Sequence, residues 1–226
     1  KVAAGVAALK SLGYRVYIHP QTYKKHGQSA GKAKEKAKAL HDLFRNPAIK
    51  AIICARGGNR AGTMLPHLDF SLIRKHPKAV MGYSDITALL SAIYAETGLV
   101  GFHGPMLYGI GGGKPSRRQI AQGLALLSGE ATDIPMPRAK ILRPGTAKGR
   151  LVGGNLSLIC SLMGTKWQPD FKDTILFLED CDDELSRYDR MLQQLANAGA
   201  FRQAHAVVFG SFTGNKDSGS LPFGLT

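Results

Sequence analysis

Ala79-Val-Met-Gly-Tyr-Ser-Asp-Ile-Thr-Ala-Leu-Leu-Ser-Ala-Ile-Tyr-Ala-Glu-Thr-Gly98 holds one complete unit of architecture. Ala79–Met81 is an apolar run of strand length. Gly82-Tyr-Ser-Asp85 is a sharp turn. Ile86–Thr97 is an apolar segment of helix length, and Gly98 follows it as a helix stop. A strand that turns directly into a helix is the repeating unit of parallel sheets. Outward from it the alternation continues. Downstream, Leu99–His103 reads as a strand. Upstream, Phe70–His76 reads as a short helix and Ile49–Ala55 as a buried strand. Before those come a helix over Gly31–Phe44, a strand over Tyr14–His19 and a helix over Val2–Leu12. The fold class is therefore α/β, with a parallel sheet and helices on both faces.

The pattern breaks after a helix at Ser116–Ser128. Ile134-Pro-Met-Pro137 and Arg143-Pro-Gly145 do not suit regular elements. We place an N-terminal α/β domain at residues 1–132, a linker at 133–148 and a smaller α/β domain at 149–226. The second part reads as strand Arg150–Val152, turn Gly153-Gly-Asn155 and helix Leu156–Met163. Strand Thr174–Leu178, helix Glu184–Ala198 and strand Ala204–Phe209 follow.

Composition narrows the function classes. No apolar run is long enough to cross a bilayer, so no membrane partner is expected. Three cysteines, Cys54, Cys160 and Cys181, are an odd number without metal-ligand spacing. No disulfide framework, metal or other cofactor is expected. Cys54 lies in an apolar run and reads as a buried structural thiol. The net charge of +14 suits an acidic partner or substrate. Lys32, Lys34, Lys36 and Lys38 recur at spacing two, which scatters them around a helix. They read as a solvated surface, and no nucleic-acid partner is expected.

Three places could carry chemistry. Ser84, on the strand-to-helix turn, would present its hydroxyl near the positive end of a helix dipole, with the Asp85 amide beside it. A plain helix cap by Ser84 or Asp85 is the competing reading. Arg56-Gly-Gly-Asn-Arg60 follows a buried strand, and its glycines would let backbone amides approach a ligand. Ile175-Leu-Phe-Leu-Glu-Asp180 ends a buried strand in two carboxylates. Glu179 or Asp180 could orient a histidine there, or be solvated. Of seven histidines, His103 is the one placed on the same sheet as Ser84, with ligand contact or packing as open roles as much as base chemistry.

The ordered set of motifs resembles the LD-carboxypeptidase family, which includes muramoyltetrapeptide carboxypeptidases and microcin C self-immunity hydrolases. The set begins with Ala55-Arg-Gly-Gly58, Leu65-Pro66 with Leu68-Asp69, and Pro77-Lys78. Gly82-Tyr-Ser-Asp-Ile-Thr-Ala-Leu89 and His103-Gly-Pro105 come next. Gly153-Gly-Asn-Leu156, Gly164-Thr165, Phe177-Leu-Glu-Asp180 and Asp189-Arg190 complete it. The resemblance implies a Ser–Glu–His triad, with Ser84 as nucleophile and Glu179 as acid. It implies an oxyanion hole from the amides of Asp85 and the Gly57–Gly58 turn. Arg56, Asn59 and His103 are the substrate-contact candidates. The implied substrate is a murein tetrapeptide that loses its terminal D-Ala, in a cytoplasmic homodimer. A microcin-type hydrolase of peptidyl-nucleotides and a non-catalytic binder of murein fragments are the alternatives.

One departure from the family pattern is plain. The family's histidine sits in a Gly-His motif shortly before a Leu-Pro-Phe/Leu-Gly segment. Here Ser220-Leu-Pro-Phe-Gly224 is present, and no Gly-His precedes it. We expect a longer polypeptide, with the triad histidine in a stretch before Ser218 and a further strand before Lys1.

Overall fold

The computed structural model describes residues 1–113, 115–134, 136 and 139–215. The chain divides into two compact units between Arg143 and Pro144. Each carries a three-stranded, fully parallel sheet among its described residues. The α/β class is thus observed. The Leu-Pro-Phe-Gly segment and Ser218 lie outside the described residues.

In the first unit the sheet order is β1 (Ala51–Ile53), β2 (Ala79–Gly82), β3 (Phe102–His103). Ile52 pairs with Val80, and Gly82 with His103. Around it lie α1 (Val2–Ser11), α2 (Ala33–Arg45), α3 (Phe70–Lys75), α4 (Ile86–Thr97), α5 (Leu107–Ile110) and α6 (Arg117–Ser128). The caps are written in the sequence. Asp69 accepts a hydrogen bond from the Leu72 amide at 3.0 Å, which starts α3. Ser116 and Gln119 form a reciprocal capping box on α6, at 3.2 and 2.8 Å. Gly98 and Gly129 end α4 and α6 at φ 75° and 79°, where a side chain would strain the backbone. Phe44, Ile73, Val80 and Ala92 are buried at the centre. Each large apolar side chain removed from water there contributes about 1.5–3 kcal/mol.

The second unit orders β4 (Arg150–Asn155), β5 (Thr174–Cys181) and β6 (Ala206–Thr213), with α7 (Leu156–Leu162), α8 (Leu185–Asn197) and α9 (Ala200–Gln203). Leu156, Ile159, Leu176, Leu178, Tyr188 and Leu195 form its core. Side chains along β5 alternate between full and partial burial, the period of a strand with two unlike faces.

Three expectations need correction. Tyr14–His19 is not a strand. It makes no ladder with β1, and a groove of about 420 Å³ lined by Leu9, Val16, Ile18 and Ile52 lies beside it. Gly153-Gly-Asn155 is not a turn but the end of β4. There the Phe177 carbonyl approaches so closely that a Cβ on Gly153 would overlap it, at 1.8 Å. β5 runs on to Cys181, so Glu179 and Asp180 lie within the ladder instead of beyond it. Among the described residues of 133–148 there is no helix or strand.

Candidate active site

β2 ends at Gly82 and α4 begins at Ile86, so three residues make the turn. Ser84 adopts φ 60°, a left-handed conformation that costs a non-glycine residue free energy. A left-handed serine between strand and helix is the geometry of a nucleophile elbow, and Asp173 and Asp182 share that backbone region at φ 56° and 62°. Gly82 is required sterically, since a Cβ there would lie 2.8 Å from Ile86 Cγ2. At the start of α4 the amides of Ile86, Thr87 and Ala88 donate to the carbonyls of Tyr83, Ser84 and Asp85, at 3.3, 2.9 and 3.3 Å, and the Asp85 N–H precedes them at the positive end of the helix.

The Arg56–Arg60 loop reaches this turn. A Cβ on Gly57 would sit 3.2 Å from both Cβ and Oγ of Ser84, and 3.4 Å from Met106 Cε. Gly58 follows at φ 153°. Asp85, read as a helix cap, makes no cap hydrogen bond. Its carboxylate is buried and accepts from the amides of Arg60 and Ala61, each at 2.9 Å. Lys36 is also not the solvated residue expected. It is half-buried and donates to the Arg60 carbonyl at 3.1 Å. Lys32, Lys34 and Lys38 are exposed, as expected.

Of the contact candidates, His103 reaches the turn through Tyr83. Arg56 and Asn59 are exposed on the loop. The Arg56 guanidinium stacks over Tyr108, 5.1 Å from its centroid. His103 meets Tyr83 edge-on at 6.2 Å. By surface area His103 is exposed, and desolvation by the protein around it pushes its pKa down, to about 4.

In the second unit the two carboxylates separate. Asp180 faces the core and is fully engaged. Its Oδ1 accepts from Asn155 Nδ2 at 2.7 Å and from the Cys181 amide at 2.8 Å. Its Oδ2 accepts from the Ser157 amide at 2.9 Å and hydroxyl at 2.6 Å. Glu179 lies on the opposite, half-buried face, paired in register with Asn155. Desolvation, then the Asp180 charge, raises its pKa to about 7, against a lowering hydrogen bond from Asn155. The β5–β6 ladder bulges at this point. Leu178 faces Phe209 and Asp180 faces Phe212, which leaves Gly210 and Ser211 opposite Glu179. His205 is at the other end of β6, where its Nδ1 lies 2.8 Å from the Lys148 carbonyl.

Sequence reasoning missed Asn155, Lys36, Met106 and Gly210. Only Asn155 carried a signal, as the last residue of a Gly-Gly-Asn motif. Cys54 is half-buried, less than the buried thiol expected, and desolvation pushes its pKa up to about 12. Among the described residues no three His, Cys, Asp or Glu side chains group as metal ligands would. No described helix is long and apolar enough to cross a membrane.

A strained serine between a strand and a helix, with the Gly57 loop packed against its hydroxyl, is a geometry shared by serine hydrolases. Comparison with known proteins narrows this. The LD-carboxypeptidase N-terminal domain profile matches residues 1–104, and the LD-carboxypeptidase C-terminal domain profile matches residues 148–222. The chain is 40% identical over 219 residues to a probable murein peptide carboxypeptidase of Bacillus subtilis, covering 94% of this chain and 67% of that protein. The microcin C7 self-immunity protein superposes with TM-score 0.86 at 29% identity, covering 97% of this chain and 74% of that one. Muramoyltetrapeptide carboxypeptidase from Oxalobacter formigenes superposes with TM-score 0.84 at 29% identity, covering 95% and 72%. The chain belongs to the LD-carboxypeptidase family.

Proposed function

We propose that the protein cleaves an L,D peptide bond and releases terminal D-Ala from murein tetrapeptides, with Ser84 as nucleophile. The observation that carries this reading is Ser84 itself, held at φ 60° with Gly57 packed against its hydroxyl. The names of the Bacillus and Oxalobacter relatives support the substrate class.

In the proposed reaction the Ser84 oxygen bonds to the scissile carbonyl carbon while a histidine oriented by Glu179 takes the hydroxyl proton. The carbonyl oxygen gathers negative charge against the amides of Asp85 and the Gly57–Gly58 turn. The C–N bond then breaks, and the imidazolium returns the proton to the leaving D-Ala amine. Water attacks the acyl-serine, the histidine takes its proton, and the Ser84 hydroxyl is restored. Glu179 suits the orienting role because it is half-buried and not committed to the core as Asp180 is. His205 does not suit the base. Five residues of strand, about 17 Å, separate the Glu179 end of the ladder from its Thr174 end, where the His205 amide bonds. Arg56, Asn59 and His103 are the proposed substrate contacts. A cytoplasmic location and a homodimer belong to the same reading, and sedimentation at twice the mass of the denatured polypeptide checks the dimer.

A second reading, hydrolysis of a peptidyl-nucleotide, is favoured by the likeness to the microcin C7 self-immunity protein. One assay separates them. Wild-type protein and Ser84→Ala are each given muramoyl tetrapeptide and an aminoacyl sulfamoyl adenosine. D-Ala release by the wild type alone supports the first reading. Turnover of the nucleotide conjugate alone supports the second. Equal turnover by both proteins removes Ser84 from either.

A further inference from the structure

We infer that the Asp85 side chain is a positioning residue: its carboxylate clamps the Arg56–Ala61 loop to the Ser84 turn, so that amides from both segments share one fixed geometry around the oxyanion. This rests on the proposed function and adds a role that backbone chemistry at Asp85 does not supply.

Asp85 stands where a helix cap belongs, and its carboxylate is turned away from the helix. A single oxygen, Oδ2, receives both the Arg60 and the Ala61 amide at 2.9 Å. Those donors lie 25 and 24 residues earlier in the chain. The contact therefore joins two loops and not one helix turn. It passes beside the oxyanion segment, since a Cβ on Gly58 would lie 3.6 Å from that same Oδ2. One residue earlier, Gly57 is against the Ser84 hydroxyl. Lys36 holds the Arg60 carbonyl from the other side at 3.1 Å. The loop is thus gripped at Arg60 by its amide and its carbonyl, two residues after Gly58.

A purely structural carboxylate would use both oxygens, as Asp180 does. Asp85 is 5% exposed, and its buried Oδ1 receives no hydrogen bond from the described residues. A buried acceptor left unmade costs stability. Such costs persist where geometry serves a site. Charge is not the asset, because a carboxylate near a developing oxyanion opposes it. The asset is an acceptor at one place, and an amide oxygen supplies the same acceptor.

The test measures kcat and KM for D-Ala release by the wild type, Asp85→Ala, Asp85→Asn and Asp85→Glu. Loss of one preorganised oxyanion contact costs about 100-fold in kcat, and that loss is expected for Asp85→Ala with KM within about threefold. Asp85→Asn keeps the acceptor and stays within about fivefold of wild type. Asp85→Glu keeps the charge, moves the acceptor by one methylene, and falls with Ala. Hydrogen exchange at the Arg60 and Ala61 amides quickens in Ala and Glu but not in Asn. Should Asp85→Ala be recovered only unfolded, the Asn and Glu pair decides. Wild-type kcat in Ala or Glu, or Asn as slow as Ala, overturns the clamp. If wild type releases no D-Ala, the proposed function fails instead, and the exchange rates still report on the clamp.

Discussion

Glu179 and Asp180 point to opposite faces of β5 because successive strand residues alternate. That alternation assigns their work. Asp180 ties Asn155 and the start of α7 to the sheet through three hydrogen bonds, and accepts a fourth from the Cys181 amide of its own strand. Asp180→Asn leaves a buried donor among donors and should destabilise the fold by about 3 kcal/mol, read by denaturant unfolding. Glu179→Gln should fold normally and lose at least 1,000-fold in kcat, by analogy with triad acids. The pKa of Glu179 adds a pH signature. Its folded value, about 7, exceeds the usual 4.5, so the folded state holds the proton more tightly than the unfolded chain. Stability tied to this group is therefore fully present below pH 4.5 and is lost as pH rises through about 7. For a half-buried, partly screened carboxylate the loss is about 1–2 kcal/mol. Wild type should show that decline between acid and neutral pH, and Glu179→Gln should flatten it. An identical pH dependence in both would refute the environment assigned to Glu179. The sequence left these two carboxylates tied, because the register with Asn155 and Ser157 that separates them forms only between distant segments. Asp85 was legible as a residue beside the nucleophile and illegible as a clamp for the same reason.

Elements with local signals were legible and those made by pairing were not. α4 has the bounds its apolar run and Gly98 dictate. Tyr14–His19 has strand composition and no ladder, because ladder formation depends on a neighbour at hydrogen-bonding distance. Gly153 and Gly154 looked like a turn, yet they let β4 approach the β5 backbone at φ 129° and 137°. The bulge at Glu179 was invisible for the same cause. Close approaches of this kind give tests at the level of the element. Gly82→Ala forces a Cβ to 2.8 Å from Ile86 and should cost about 1–3 kcal/mol by overpacking the β2–α4 junction. Gly57→Ala has its nearest contacts on the Ser84 side chain and Met106. It should leave the melting temperature nearly unchanged and cut kcat by about 10-fold or more. A melting loss as large as that of Gly82→Ala would make Gly57 a packing glycine.

At the scale of the molecule, charge and family are the informative facts. The net charge of +14 raises the local concentration of anionic substrates, an effect that salt screens. For a muropeptide with free carboxylates, kcat/KM should fall several-fold between low and high salt. An amidated, neutral analogue should respond little, and equal responses would remove steering from the account. The ordered motifs carried the family because they run through both of the domains that its two profiles match. The central claim is that Ser84 is the nucleophile, and covalent capture tests it most directly. The protein is treated with a fluorophosphonate and its peptides are mapped by mass spectrometry. The account predicts one phosphonylated residue, Ser84, with D-Ala release lost in proportion to labelling and no adduct in Ser84→Ala. A protein that leaves Ser84 unmodified, or that keeps releasing D-Ala once Ser84 is fully labelled, would contradict it.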